Sequence, residues 1–290
     1  MDAGMGIEQS LARAMRDTQG RGAPPQLTAA MRSAVFPGGA RIRPRLCLAV
    51  ARACSAERAS PMALSAASSI ELLHCASLVH DDLPCFDDAA MRRGRPSIHK
   101  AFGERIAVLA GDALIVLAFQ VLARAAGAAP DRLASLVIII SRAAGAPYGI
   151  AAGQAWECEA KIDLASYQRA KTGALFAAAT SAGACACGYD AAAWRVLGER
   201  IGEAYQIADD IRDVVSSEQD MGKPAGRDQA LGRPNAVHRL GIAGAVERLE
   251  GLVESAIEAI PACPGAKDLR GHILAEASRL LPRQLARPAA

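Results

Sequence analysis

Residues 61–88 read PMALSAASSIELLHCASLVHDDLPCFDD, and this stretch decides the fold. The apolar, alanine-rich part from about Pro61 to Asp82 predicts a long buried helix, because alanine has the highest helix propensity and small side chains let helices approach closely. Outward from it the apolar residues keep a helical period, and no stretch shows the alternation of β-branched residues that predicts strands. The short string Val137–Ile140 is flanked by that period, so we interpret it as a buried helix. Further helices are predicted over residues 44–54, 107–126, 132–142, 165–188, 191–215, 245–260 and 269–280.

The composition is typical of one large helical domain. Hydrophobic residues make up 51% of the 290 residues and charged residues 22%, which allows a large core and is unlike a disordered chain. No linker divides the chain, so we expect an all-α single domain over residues 1–290, with residues 1–25 as a peripheral N-terminal segment. The net charge of +3 gives no argument for a nucleic-acid partner, and no apolar run approaches the roughly 20 residues of a membrane span. Eight cysteines without a CxxC pair, and an N-terminus without the apolar run of a signal peptide, predict a cytoplasmic protein.

The end of the stretch at 61–88 holds a first acidic cluster. Pro84 disfavours the α conformation at the residue before it, so the helix ends there and the chain turns. The turn returns Asp87 and Asp88 towards Asp81 and Asp82, and four carboxylates then crowd a helix C-terminus whose dipole is already negative. Magnesium commonly binds to one or two carboxylates together with substrate phosphates. We therefore interpret the cluster as a magnesium site rather than as a solvated acidic turn.

A second acidic cluster lies on the helix predicted over 191–215. Asp209 and Asp213 are an i,i+4 pair of like charges, and Gln206 shares their arc beside the apolar face of the helix. Such a pair costs an isolated helix a few tenths of a kcal/mol. A helix that accepts this cost beside its buried face is expected to use those carboxylates.

Basic residues follow both acidic clusters. Arg92 and Arg93 come after the first and Lys223 after the second, as expected where metal and cationic side chains share a phosphate ligand. Two acidic helices that bind several magnesium ions could hold one diphosphate and promote its departure. The departure leaves an allylic carbocation, which requires charge neutralisation and a dry apolar cavity.

The motifs now resemble those of the trans-isoprenyl diphosphate synthases, and most of all the bacterial geranylgeranyl diphosphate synthases of carotenoid and bacteriochlorophyll pathways. The motifs are Gly38-Gly39-x-Arg41-x-Arg43-Pro44, Asp81-Asp82-x4-Asp87, Arg92-Arg93-Gly94, Lys171-Thr172-Gly173, Gln206-x2-Asp209-Asp210-x2-Asp213 and Gly222-Lys223. The resemblance implies a homodimer, each chain a helical bundle around a deep central cavity. It also implies three Mg²⁺ ions per active site, with isopentenyl diphosphate and dimethylallyl, geranyl or farnesyl diphosphate as substrates.

The resemblance assigns a role to each motif residue. The implied metal ligands are Asp81, Asp87 and Asp209, with Asp82 also catalytic; the implied ligands of the allylic diphosphate are Arg92, Lys171 and Lys223; those of the isopentenyl diphosphate are Arg43, His74 and Arg93; and Thr172 and Gln206 line the reacting centre. One position departs from the pattern, because Ala40 stands where many relatives have lysine. Either Arg41 substitutes for that cation, or the isopentenyl diphosphate binds more weakly.

The side chains below the first cluster predict the product length. Ala76 lies about one and a half helical turns, or ~7.5 Å, before Asp81, at the depth where a growing prenyl tail would meet the helix. Similar farnesyl synthases have an aromatic residue there, whereas Ala76 and Ser77 are small. We therefore expect elongation past C15 to the C20 product, with a C15 or a longer product as the alternatives.

Two other functions remain open on the sequence. A class I terpene cyclase also ionises a diphosphate at an aspartate-rich site, but the 4% aromatic content and the intact second cluster argue against one. A non-catalytic partner subunit of an active synthase is the second alternative, and Ala40 is the observation that favours it.

Overall fold

The computed structural model describes residues 3–55, 60–215 and 235–280. The first helices are α1 (Ala3–Asp17), α2 (Pro25–Val35), α3 (Ile42–Cys54), α4 (Pro61–Asp81), α5 (Ile98–Phe102), α6 (Glu104–Arg124) and α7 (Pro130–Ala144). They are followed by α8 (Ile150–Ala155), α9 (Leu164–Gln168), α10 (Ala174–Cys185), α11 (Arg195–Val215), α12 (Ala236–Glu258) and α13 (Ala266–Leu280). The predicted all-α class is confirmed.

Helix α4 lies at the centre of the main hydrophobic core. It begins with the Ser60 side chain accepting a hydrogen bond from the backbone N–H of Ala63 at 3.1 Å, and with Pro61 in the first turn. Residues on every face of α4 are buried, as expected for a helix that is apolar all round. Helices α3, α6 and α10 pack against it, so its C-terminal acidic end is held by the whole bundle.

Residues 1–25, predicted to be peripheral, contribute to this core. Ile7, Leu11 and Met15 of α1 are at most 1% exposed, and Glu8 on the same helix pairs with Arg41. The apolar residues recur every four positions, so one stripe of α1 faces the bundle. Helix α1 therefore covers the core with one face and leaves the other exposed.

The helix predicted over 165–188 is divided into three parts. α9 leads into a π turn, Arg169–Gly173, and α10 follows. Helix α8 lies so close to this turn that a Cβ atom at Gly153 would be 2.4 Å from the backbone nitrogen of Lys171. Single π turns inside helices are often found at functional sites.

A small β-hairpin was not predicted. Strands β1 (Met91–Arg92) and β2 (Arg95–Pro96) pair antiparallel around the two-residue turn Arg93-Gly94. Both turn residues have positive φ, 52° and 73°, which is what a type I′ hairpin turn requires. The arginine-rich sequence Met91–Pro96 has none of the β-branched alternation that predicts a strand. The two strands pair because the turn between them brings them together.

Two helices are long and apolar enough to cross a membrane, by length and hydropathy alone, contrary to the prediction that no run reached that length. One is α4, whose apolar window is 72% buried in the core. The other is α6 with the turn after it, 104–128, which stays apolar enough on average although Asp112 lies near its middle. The string Val137–Ile140 is helical as predicted, although Ile138 is 54% exposed.

An apolar cavity lies between α3, α11, α12 and α13, with Leu46, Val253 and Ile273 among its lining residues. This is a different place from the space below the first acidic cluster. The deep central cavity for the prenyl chain therefore stays a prediction.

Candidate active site

The turn after α4 returns Asp87 to Asp81 as predicted, but Asp88 is exposed and pairs with Lys100 at 3.1 Å, so the four carboxylates do not form one group. The backbone N–H of Asp87 donates to the carbonyl of Asp81 at 3.0 Å, and that of Ala89 donates to the carbonyl of Asp82 at 3.2 Å. Carboxylate oxygens of Asp81, Asp87 and Glu157 lie within 4.8 Å of one another. Three oxygen donors at this spacing are the ligand type that a hard divalent cation prefers, so the residues fit a magnesium site. Asp209 is not a member of this group.

Glu157 is the residue that the sequence did not reveal. It lies in a single 3₁₀ turn, Trp156–Cys158, directly after α8. No spacing connects it to the aspartate motif, because its partners are on α4 and on the π turn. The only local signal is Gln154, three positions earlier, whose amide donates to the Glu157 carboxylate at 3.3 Å.

Lys171 places its ammonium group between two carboxylates. Its Nζ atom is 3.2 Å from Oδ1 of Asp81 and 2.5 Å from Oε1 of Glu157. All three side chains are less than 20% exposed, so water screens these charges less than it would at the surface. A cation at this place can reach any diphosphate that binds to metal at the cluster.

The Asp82 side chain faces Arg92 and not the carboxylate group of Asp81, Asp87 and Glu157. Its side chain is buried and accepts from Arg92, with Nε of Arg92 at 3.0 Å. Burial raises the pKa of Asp82, while the hydrogen bond from Arg92 acts in the opposite direction. The pair orients the guanidinium beside Asp81, whose Oδ2 is 3.8 Å from Nη2 of Arg92.

The two aspartates at the centre of the second cluster have different environments. The Asp209 side chain is 41% exposed, and within the described part of the chain Arg212 pairs with it at 3.9 Å. Asp210 is buried; it accepts from the Gln206 amide at 3.0 Å and from the backbone N–H of Ala236, at the start of α12, at 2.7 Å. Asp209 is thus available to a ligand, whereas Asp210 joins two helices.

Gln206 is held from both sides. Its carbonyl oxygen accepts from the Thr172 hydroxyl at 2.8 Å, and its amide nitrogen donates to Asp210. The amide orientation is therefore determined, and the π turn is connected to α11 through it. Lys223, the remaining predicted residue of this region, lies outside the described residues.

Arg43 and His74 form a buried pair on α3 and α4. Nη1 of Arg43 is 3.4 Å from Nε2 of His74, and the guanidinium lies over the Phe176 ring at 4.5 Å. Burial, followed by the charges of Arg43 and Arg93, holds the pKa of His74 well below 6.5, so the imidazole is neutral. The Nε atom of Arg43 is buried without a hydrogen-bond partner, which is costly and suits a site that receives an anion.

Arg41 does not substitute for the lysine that Ala40 replaces. It is buried, pairs with Glu71 at 2.5 Å and with Glu8 at 2.8 Å, and donates to the carbonyl of Val35. A guanidinium with all these partners is bound into the fold. These contacts argue against the suggestion that Arg41 replaces the missing cation.

The two glycines before Ala40 leave room for arginine side chains. A Cβ atom at Gly38 would lie 2.0 Å from the guanidinium carbon of Arg41, and one at Gly39 would lie 3.0 Å from Nη2 of Arg93. The Gly-Gly motif is thus explained by the packing of one structural and one candidate substrate-binding arginine.

The predicted chain-length residues differ in exposure. Ser77 is one turn below Asp81, is partly exposed, and donates its hydroxyl to the carbonyl of His74 at 2.9 Å. Ala76 is 1% exposed and packs in the main core. A prenyl tail would therefore meet Ser77 first, and would reach Ala76 only if neighbouring side chains moved.

Comparisons with known proteins identify the family of the chain. The family model described as polyprenyl synthetase matches residues 24–268. The chain is 51% identical to a geranylgeranyl diphosphate synthase of Cereibacter sphaeroides over 97% of both chains, and 50% identical to one of Rhodobacter capsulatus over 95% of both. The crystal structure of an FPP/GFPP synthase from Zymomonas mobilis superposes with a TM-score of 0.78 at 30% identity, covering 95% of this chain and 98% of that one. The chain therefore belongs to the polyprenyl synthetase family.

Proposed function

We propose that this protein is a geranylgeranyl diphosphate synthase that condenses isopentenyl diphosphate with dimethylallyl, geranyl or farnesyl diphosphate. The observation that supports it most is the carboxylate group of Asp81, Asp87 and Glu157 with the Lys171 ammonium beside it. The identity to two geranylgeranyl diphosphate synthases over nearly the whole chain supports the C20 product.

The reaction begins when the carbon–oxygen bond of the allylic diphosphate breaks, leaving an allylic cation and inorganic pyrophosphate. The double bond of isopentenyl diphosphate then forms the new carbon–carbon bond, and loss of a proton restores a double bond. Bound Mg²⁺ would neutralise the charge that develops on the departing diphosphate. Asp81, Asp87 and Asp209 are the proposed metal ligands, and three ions per site are part of the proposal.

Cationic side chains are proposed to hold the departing diphosphate. Arg92 is oriented by Asp82, and Lys171 by Asp81 and Glu157, so both charges are in place before the substrate binds. Preorganised charges stabilise the transition state without reorganisation at the moment of reaction. Lys223 is proposed as a third such group on the strength of the motif alone.

The isopentenyl diphosphate is assigned to Arg43, His74 and Arg93. Arg43 has an unpartnered buried Nε–H, and the neutral His74 ring can donate one N–H without adding charge. With Ala40 in place of lysine and Arg41 engaged elsewhere, this site has one cation fewer than many relatives. Weaker binding of isopentenyl diphosphate follows.

A homodimer through α6 is part of the proposal. Val108, Leu109, Ile115 and Val116 are each 36–57% exposed and form an apolar stripe on α6 that is interrupted by the exposed Asp112. Exposed apolar stripes of this kind mark protein interfaces, and a two-fold axis would place the stripe against its own copy. Val116→Arg should give monomers in sedimentation equilibrium, whereas the control Val196→Arg, an exposed valine on α11, should not.

Product analysis tests the function directly. The purified protein, with Mg²⁺, isopentenyl diphosphate and each of the three allylic primers, should give the C20 diphosphate and no product when the metal is chelated. A product that ends at C15 would refute the chain-length assignment, and a cyclic hydrocarbon would indicate a cyclase. No turnover alone, with altered product length when an active synthase is added, would indicate a partner subunit.

A further inference from the structure

The carboxylate of Glu157 is held in place by neutral donors. The Tyr167 hydroxyl donates to its Oε1 at 2.6 Å and the Gln154 amide to its Oε2 at 3.3 Å. Neither donor carries a charge, so both fix the position of the carboxylate without neutralising it. Lys171 is the cation that this carboxylate pairs with at 2.5 Å.

The backbone that carries Lys171 is held by the same segment of chain. Gly153 of α8 has no room for a Cβ atom because the Lys171 backbone is in the way. Tyr167 lies two positions before the π turn, with its ring 5.8 Å from Nζ of Lys171. Residues 150–173 thus form one local unit that positions both ends of the lysine. Asp81, the other carboxylate near Nζ, is 90 positions away along the chain.

We infer that Glu157 is a positioning residue that draws the Lys171 ammonium away from Asp81 and keeps it at the edge of the acidic cluster. This rests on the proposed role of Lys171 in binding the allylic diphosphate. Nζ is nearer to Glu157 than to Asp81, 2.5 Å against 3.2 Å, so Asp81 keeps most of its capacity for a metal ion. Without the charge on Glu157 the ammonium would pair with Asp81 alone, and a metal–diphosphate complex would have to displace it.

A double-mutant cycle separates this role from direct metal binding. The probe is inorganic pyrophosphate with Mg²⁺, titrated by calorimetry into the full-length protein, its Glu157→Gln and Lys171→Met variants, and the double variant. Glu157→Gln keeps the shape and one acceptor oxygen for the Tyr167 hydroxyl, but removes the charge and the acceptor for the Gln154 amide. It should weaken pyrophosphate binding about tenfold in the wild-type background and less than twofold in the Lys171→Met background.

Steady-state kinetics can show a selective change in one KM, which a general loss of structure would not cause. Glu157→Gln should raise the KM of the allylic substrate about tenfold while changing the KM of isopentenyl diphosphate less than twofold. Glu159→Gln, an exposed glutamate two positions later, is the matched control and should change neither. Tyr167→Phe removes the hydrogen bond to Glu157 and should show the same pattern with a smaller effect, so the inference can be tested even if Glu157→Gln does not fold.

Three results would overturn the inference. Unchanged pyrophosphate binding in both Glu157→Gln and Tyr167→Phe would mean that the position of Lys171 does not depend on Glu157. An equal loss in both backgrounds of the cycle would mean that Glu157 acts on the metal itself. If Lys171→Met alone left pyrophosphate binding unchanged, the proposed diphosphate role of Lys171 would fail first, and that failure is recognised from the single variant.

Discussion

Replacement of Arg41 and of Arg43 by glutamine should have opposite consequences, although the two side chains are separated by one residue. Arg41→Gln leaves Glu71 buried, at 2% exposure, without its cation. Removing one partner of a buried ion pair costs about 3–5 kcal/mol, whereas the half-exposed partner Glu8 adds at most about 1 kcal/mol. At about 2 °C per kcal/mol for a large domain, the melting temperature should fall by roughly 6–10 °C.

Arg43→Gln should change substrate binding instead. The guanidinium rests on Phe176, its Nε has no partner, and burial lowers its pKa, so the folded protein gains little from this charge. A charge-assisted hydrogen bond to diphosphate is worth about 1.5–3 kcal/mol, and the KM of isopentenyl diphosphate should therefore rise about 10–100-fold.

Thermal unfolding and steady-state kinetics on both variants distinguish the structural role of Arg41 from the substrate-binding role of Arg43. The expected pattern is a lower melting temperature for Arg41→Gln with a near-normal KM in the surviving folded fraction, and the reverse for Arg43→Gln. A stable Arg41→Gln protein with a selectively raised KM for isopentenyl diphosphate would refute the reasoning. It would show that Arg41 contacts the substrate after all.

Three further predictions concern the second cluster, the prenyl tail and pH. Asp209→Ala should lower kcat by orders of magnitude with little change in melting temperature, and a stable, active Asp209→Ala protein would exclude the metal role. Asp210→Ala should instead lower the free energy of unfolding by roughly 1–3 kcal/mol, because two buried donors lose their acceptor. Ser77→Phe should shorten the product without destabilising the fold, whereas Ala76→Tyr should also lower the free energy of unfolding by about 1–3 kcal/mol, because it overpacks the core. Product chromatography and thermal unfolding test both variants, and an unchanged product from Ser77→Phe would contradict the assignment. The folded-state pKa of His74 is depressed, so the unfolded chain binds the extra proton and the free energy of unfolding falls as the pH drops below about 6.5. Denaturant unfolding at pH 7 and 5.5 measures this change, and His74→Gln should reduce it by up to about 1.4 kcal/mol per pH unit. An identical pH dependence in the variant would count against the buried neutral imidazole.

The sequence by itself determined the helical class and the first acidic turn, because both depend on neighbouring residues. Pro84 ends α4 through its effect on the preceding residue, and the hydrogen bond from Asp87 to Asp81 closes the expected turn. The spacing of Asp209 and Asp213 likewise predicts a shared helix face from positions alone. Patterns of this kind need no knowledge of what lies across the bundle.

Only the tertiary structure decided what the individual charges do. Asp81 and Asp82 are adjacent in the sequence, yet one faces the carboxylate group with Glu157 and the other is buried beneath Arg92. Arg41 stabilises the fold because it pairs with Glu71, a partner 30 positions away that lies on α4. The role of a charged side chain depends on its burial and on its partner, and both are set by packing between distant segments, which no local pattern records.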